Sequence, residues 1–400
     1  MNRFISLVTP LLVLPGAAFA AAAAPSDTLG PGVPAFTVRP GFRVTLAAEK
    51  LDEARFLEFD DKGVLYVSQP RGNIVALRDK DGDGVYETST KFLTGKPSAH
   101  GMHWKNGWLW YSRAGAIDRA RDTNGDDVAD EVVTIVDKLP EKGHWWRSIL
   151  VGEDSFYTSI GDSGNSTDPD AADKPNERDR QKIWQYNLDG SNRRLFASGL
   201  RNTEKLRFRP GTTEVWGADH NLDNFGEKYG EKKPENKGKG QPITDLIPGE
   251  EFNHYVQDGF YGHPFIVHSG IPNPQFENRP DILDLAAKTI PPAWLAGAHW
   301  AGNGWTFVTR DTFPGLKGDA LVAYHGSWNS SKKVGYRIER ILFDEVTGRP
   351  YGAQQIVGTL GANGNDVLAR PCDVVEAPDG SLLFSCDQTK RIFRISRAAQ

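Results

Sequence analysis

Cysteine and methionine are scarce in this 400-residue chain, with two of each. Two cysteines exclude a disulfide-dense scaffold and any zinc site built on paired CxxC motifs. Charge of one sign is also lacking: 47 basic against 52 acidic side chains leave a net charge of −5, with no footprint for nucleic acid or an anionic membrane surface. No segment beyond the N-terminal apolar stretch approaches the roughly 18 uninterrupted apolar residues of a membrane span. Helix-length stretches are missing too, because 42 glycines and 25 prolines punctuate the chain. HExxH, GxSxG and GxxxxGK[ST] do not occur, so zinc-hydrolase, serine-nucleophile and nucleotide-dependent chemistries lose ground together. What is present, 38 % hydrophobic and 10 % aromatic residues, suits a folded, turn-rich globule and not a disordered chain.

The first residues read as an address. Arg3 is followed by an apolar stretch from Phe4 to Ala17 and by Ala18-Phe19-Ala20, the small-x-small form at which signal peptides are cleaved. A signal peptide over residues 1–20 and a single mature domain over 21–400 are expected, exported most simply to a bacterial periplasm.

Six times an apolar strand, a turn and a second strand lead into a polar corner, as in RFLEFDDKGVLYVSQ, GMHWKNGWLWYSR and GDALVAYHGSWN. Equivalent points at Leu65, Leu109, Phe156, Val215, Leu321 and Leu383 recur at a base period in the forties, the size of a four-stranded propeller blade. The expected fold is all-β, a six-bladed β-propeller of four-stranded antiparallel blades. The wide gap after Val215 requires one long insertion, placed at about 221–296, with a charged Gly-rich part, the segment FNHYVQDGFYGHPF and a short helix near 280–288. Two repeats carry matching acidic loops, Asp79, Asp81, Asp83, Glu87 and Asp122, Asn124, Asp126, Asp130. Oxygen ligands at positions 1, 3, 5 and 9 around a tight turn suit Ca²⁺, and solvated acidic turns are the alternative.

Cys372 and Cys386 flank a hairpin turning at Pro378-Asp379-Gly380. With a three-residue turn they lie opposite each other, as a cross-strand disulfide in an oxidising compartment or as two small buried thiols.

Polar residues gather where blade strands begin or end: His100 and His103, His144, Arg201-Asn202, Asp219-His220, His299, His325 and Arg370. Singly, a histidine beside a tryptophan is a packed core residue; recurrence at equivalent blade positions makes these candidates for a channel site. The segments HWWRSILVGEDSFYTSIGDSGN, SGLRN, FYGHP, GDALVAYHGSWN and ARPCDVVEAPDGSLLFSCDQTKRIFRI resemble the soluble pyrroloquinoline quinone (PQQ)-dependent sugar dehydrogenases, in their sorbosone and aldose dehydrogenase branch. The resemblance covers nearly the whole mature chain. It implies PQQ and Ca²⁺ as cofactors, a sugar or sugar-aldehyde substrate, and a separate electron acceptor. His144 matches the catalytic base and Arg201 the stabiliser of charge on the reduced quinone. Asn202, His100 and Arg370 match cofactor contacts, with Lys333 or Arg337 as a further cation. Carbonyls near Asp219 and His220 match the cofactor's calcium position. The pattern departs at Thr203-Glu204-Lys205, where the family carries Pro-x-Gly, at Cys372, where it carries a second arginine, and at ADHNLDN, which lacks Gly-Pro. Two other readings fit a propeller: a calcium-dependent lactonase using Asn202 and Asp219, and a non-catalytic exported propeller binding glycans or proteins.

Overall fold

The computed structural model describes residues 28–69, 71–95, 98–171, 175–230 and 243–398. The export signal expected at 1–20 lies outside the described residues. Six sheets, antiparallel except where Arg194–Ser198 pairs in parallel with Gly259–Phe260, and centred on residues 57–93, 102–136, 150–198, 203–298, 302–358 and 371–397, form blades 1 to 6. Their innermost strands (Leu57–Phe59, Met102–Lys105, Leu150–Val151, Thr203–Phe208, Gly302–Phe307 and Pro371–Glu376) each touch the next, and the last touches the first, so the ring is closed. Closure is sealed by the early strand Phe42–Ala48, which pairs with Arg391–Arg397 as the outermost strand of blade 6. Joining an early strand and the last described strand in one sheet closes the ring.

The six points read from the sequence as equivalent all fall in the second strand of their blades. Second strands are covered on both faces by neighbouring blades, so they read as continuous apolar runs: Leu65–Gln69, Ala320–Tyr324 and Leu382–Cys386 are buried at every residue. The outer strand Glu131–Val136 is exposed over its first four residues. One apolar cluster fills each interface, for instance Phe56, Tyr66 and Phe92 of blade 1 against Met102, Leu109 and Tyr111 of blade 2.

The stretch 221–296 is not one excursion. It contains the third strand of blade 4, Gly249–Tyr255, so the extra chain divides into a segment before that strand and another after it, which carries the helix Ile282–Lys288. The cysteine register also differs from the expected one. Glu376 faces Leu382 and Val374 faces Phe384 as expected, but a bulge between Pro371 and Val374 places Pro371, not Cys372, opposite Cys386. The cysteines are therefore not cross-strand partners, and both are free buried thiols. Blades 4 and 5 carry the same irregularity, between Thr203 and Leu206 and between Gly302 and Trp305. A bulge re-aims side chains at a strand's start, and here it recurs where three strands meet the channel.

Candidate active site at the channel mouth

Antiparallel topology brings two rows of side chains to one end of the channel. The residues preceding first strands are Arg55, His100, His144, Arg201-Asn202 and Arg370; those closing second strands are Asp162, Asp219-His220, His325 and Asp387. The rows interlock across blades: the Asp162 amide donates to the Arg201 carbonyl (2.8 Å), His220 Nε2 to the Gly302 carbonyl (3.1 Å), and Arg370 Nε and Nη2 to the carbonyls of His325 and Gly326 (both 3.3 Å).

His144 is held by the neighbouring row. Its Nδ1 donates to the Asp162 carbonyl at 3.0 Å, which fixes the tautomer and leaves Nε2 as the acceptor, without a partner among the described residues. Burial, then the Arg201 charge, lower its pKa from 6.5 to about 4, so the imidazole is neutral at physiological pH. Gly161 lies between the two residues: a Cβ there would meet the Arg201 carbonyl oxygen at 2.6 Å and His144 Cβ at 2.8 Å, so only glycine permits this approach. The Asp162 carboxylate accepts from His263 Nε2 (2.7 Å), Gln181 Nε2 (3.1 Å) and the amides of Gly164 (2.8 Å) and Thr167 (2.9 Å). Burial would raise that carboxyl, but these bonds outweigh it and hold it well below the usual carboxylate range.

Arg201 is buried, pairs with Asp223 at 3.0 Å, and donates from Nε to the Asn165 carbonyl (3.1 Å). Asp223 also faces His299 Nδ1 at 3.4 Å. Both oxygens of Asp219 are engaged by the Arg-Asn turn, accepting from the amides of Arg201 (2.9 Å) and Asn202 (2.7 Å) and from Thr203 Oγ1 (2.9 Å). Asn202 Nδ2 donates to Glu204 Oε1 (3.1 Å) and lies 3.2 Å from His220 Nδ1. Asn202 and Asp219 thus serve the turn and do not form an open carboxylate–amide cluster.

Of the segment Thr203-Glu204-Lys205, Thr203 bonds within its own blade to Asp219 and Tyr255, whereas Glu204 and Lys205 reach other blades. Glu204 faces His100 Nε2 (3.5 Å) and Arg55 Nη2 (3.4 Å), which hold its carboxyl far below the ordinary range although burial opposes them. His100 packs between Phe56 and Trp146, and neither of its nitrogens makes a hydrogen bond; Asn202 Oδ1 is likewise buried and unsatisfied. Deeper, Lys205 Nζ reaches both oxygens of Asp373 at 2.6 Å, joining blades 4 and 6. Gly304 of blade 5 lies beneath this pair, where a Cβ would fall 2.1 Å from Asp373 Oδ1.

The other expected residues divide. The Arg370 side chain bonds only carbonyls and lies over the Tyr336 ring (5.9 Å), with no acidic partner among the described residues. Arg337 is engaged, 3.2 Å from Glu339 and stacked 4.2 Å over Trp300; Lys333 is exposed. His103 accepts the Val151 amide at 2.7 Å and ties blade 2 to blade 3. Both acidic loops lie on the blades, away from the two rows. In the first, ligand atoms of Asp79, Asp81, Asp83 and Glu87 all fall within 4.8 Å of one another. In the second, Asp122 accepts the amides of Asn124, Gly125 and Asp127, and Asn124 donates to Asp130. Sequence reasoning missed Arg55, Asp162, Glu204, Asp223 and Asp387. Asp162 and Asp387 carried a signal: like Asp219, each stands at or just past the end of a second strand.

The closed six-bladed ring is a fold shared with solved PQQ-domain and sugar dehydrogenase propellers. The chain matches the TrAA12-like family model over residues 36–274 and 275–398, and it belongs to that family. It is similar to the holo PQQ domain of pyranose dehydrogenase from Coprinopsis cinerea (19 % identity, 92 % of this chain and 100 % of that one, TM-score 0.76). A calcium structure of Trichoderma reesei Carbohydrate-Active Enzymes family AA12 is alike to the same degree (19 %, 93 % and 99 %, 0.76). The apo soluble aldose sugar dehydrogenase of Escherichia coli is less so (15 %, 89 % and 99 %, 0.60). A curated relative, an uncharacterized protein of Borreliella burgdorferi, is 27 % identical over 215 residues, and the chain spans about half of its length (51 %).

Proposed function

We propose that the protein is a PQQ- and Ca²⁺-dependent dehydrogenase that oxidises a sugar or sugar aldehyde and passes the electrons to a separate acceptor after export to the periplasm. The observation that carries this is His144, neutral, fixed in one tautomer, with Nε2 open at the channel mouth beside Arg201. The residues fit an anionic, oxygen-rich group. Arg370 lacks an acidic partner among the described residues, and His100 Nδ1 and Asn202 Oδ1 are buried and unsatisfied at the same end. Arg370 would hold a carboxylate and Arg201 would stabilise the charge on the reduced quinone, with Asn202 and His100 beside them. Calcium at this position would rest on carbonyls near Asp219 and His220, since the Asp219 side chain is committed to the turn; the all-oxygen set at Asp79 to Glu87 suits a second, structural ion, and the loop at Asp122 to Asp130 a third.

PQQ, when bound, supplies the two-electron acceptor. His144 Nε2 takes the proton of the sugar hydroxyl as the hydride departs, while Nδ1–H on the Asp162 carbonyl steadies the imidazolium. Such a base contributes about 10² to 10⁴ in rate. Arg201 lowers the His144 pKa, so an anionic group paired with Arg201 brings it back toward neutrality, nearer the optimum for a base.

Titration with PQQ and Ca²⁺ tests this by PQQ absorbance, by the His144 imidazole resonance, and by dye reduction with a panel of sugars. Binding with an upward shift of the His144 pKa is expected, and His144→Ala should bind PQQ and lose turnover. Absence of PQQ binding, or full activity in His144→Ala, overturns the proposal.

A further inference from the structure

We propose that His325, Cys372 and Asp387 form a binding site for a divalent transition metal of the zinc class. An imidazole nitrogen, a thiol sulfur and a carboxylate oxygen from three separate places in the fold fall within 4.8 Å of one another. His325 follows the second strand of blade 5, Cys372 lies in the bulge of the first strand of blade 6, and Asp387 follows the second strand of that blade. His325 Nε2 is 3.2 and 3.1 Å from the two Asp387 oxygens. Cys372 is fully buried, whereas the side chains of His325 and Asp387 are 14 % and 18 % exposed, so the open side of the cluster is the channel side.

The donor set selects the ion. Thiolate and imidazole together disfavour Ca²⁺ and Mg²⁺, which take oxygen ligands, and suit Zn²⁺ or its spectroscopic substitute Co²⁺. Three protein ligands leave a fourth position for water or a substrate oxygen on the open side. Binding breaks the Cys372 S–H bond, releases its proton to solvent and forms a metal–sulfur bond; His325, whose Nε2–H faces the Asp387 carboxylate in the metal-free site, loses that proton to solvent and takes one up on Nδ1, which frees Nε2 for the metal, and no electron is transferred. The charges facing the cluster are Arg55, 3.3 Å from Asp387 Oδ2, and Arg370 on the His325 carbonyl. Glu204 already shares Arg55, and Asp387 keeps Oδ1 for the metal, so a dication is balanced by one carboxylate and one thiolate.

The test uses the full chain, stripped with chelator and without PQQ, so its result is independent of the proposed enzymatic function. Titration with Co²⁺ should show one thiolate-to-metal charge-transfer band in the near ultraviolet, saturating at one equivalent. The band should vanish in Cys372→Ser, survive in Cys386→Ser, and require at least about tenfold more Co²⁺ in His325→Gln and Asp387→Asn. Zn²⁺ should displace Co²⁺ and excess Ca²⁺ should not. Circular dichroism reports whether each variant is folded; should Cys372→Ser fail to fold, the wild type and His325→Gln decide. No charge-transfer band in the folded wild type, a band that persists in folded Cys372→Ser, an undiminished affinity in His325→Gln, or displacement by Ca²⁺ overturns the proposal.

Discussion

Replacing Lys205 with methionine removes the cation of the ion pair that crosses the channel. Lys205 and Asp373 are 3 % and 0 % exposed at the side chain, and Nζ lies 2.6 Å from both carboxylate oxygens. Asp373 also accepts the Leu57 amide at 2.9 Å, so one carboxylate gathers blades 4, 6 and 1. Methionine matches the volume of the lysine stem, and little apolar contact is lost. The damage is electrostatic: breaking a buried pair leaves a bare carboxylate and costs about 3 to 5 kcal/mol. For the roughly 350 described residues, the unfolding entropy of about 2 cal/mol/K per residue converts 4 kcal/mol into a fall in Tm of about 6 °C. The combined variant Lys205→Met with Asp373→Asn buries no charge, and the asparagine oxygen still accepts the Leu57 amide; it should recover most of the loss. Differential scanning calorimetry at pH 7 measures both. A Tm for Lys205→Met within 1 °C of wild type, or a double variant worse than the single one, refutes the reasoning.

Gly161→Ala should separate the His144 and Arg201 segments, because its Cβ would fall 2.6 Å from the Arg201 carbonyl oxygen. PQQ affinity, followed by absorbance, should drop at least tenfold while the circular dichroism of the folded propeller persists. Asp223→Asn changes the pH dependence of stability. Burial lowers the His299 pKa, but Asp223 and Glu250 outweigh it and raise it above 6.5. A raised histidine pKa stabilises the fold below pH 6.5 and loses that contribution as pH rises through the folded value. Urea unfolding between pH 5 and 8 should therefore show a decline in the wild type above pH 6.5 that is reduced in Asp223→Asn; identical profiles would exclude the His299–Asp223 contact as its source.

Much of the fold was legible in the sequence because propeller physics is local and repeated. Each second strand is enclosed on both faces, so it must be an apolar run such as LVAY or LLFS, and turn residues must follow at blade spacing. Those two demands determine the all-β class, the six repeats and the places where polar corners interrupt them. The corners could be counted because polar residues beside buried strands stand against an apolar background, and the family resemblance singled out His144, Arg201 and Arg370 among them. Their partners could not be found the same way. Glu204 and Lys205 look like a charged surface turn until the ring closes around them and pairs them with His100, Arg55 and Asp373, more than 100 positions away. Closure by Phe42–Ala48, the division of the blade 4 excursion around Gly249–Tyr255, and the bulge that separates Cys372 from Cys386 likewise depend on which strands meet in space. Periodicity along the chain reports what each strand buries, and only the closed ring decides which charges face one another across the channel.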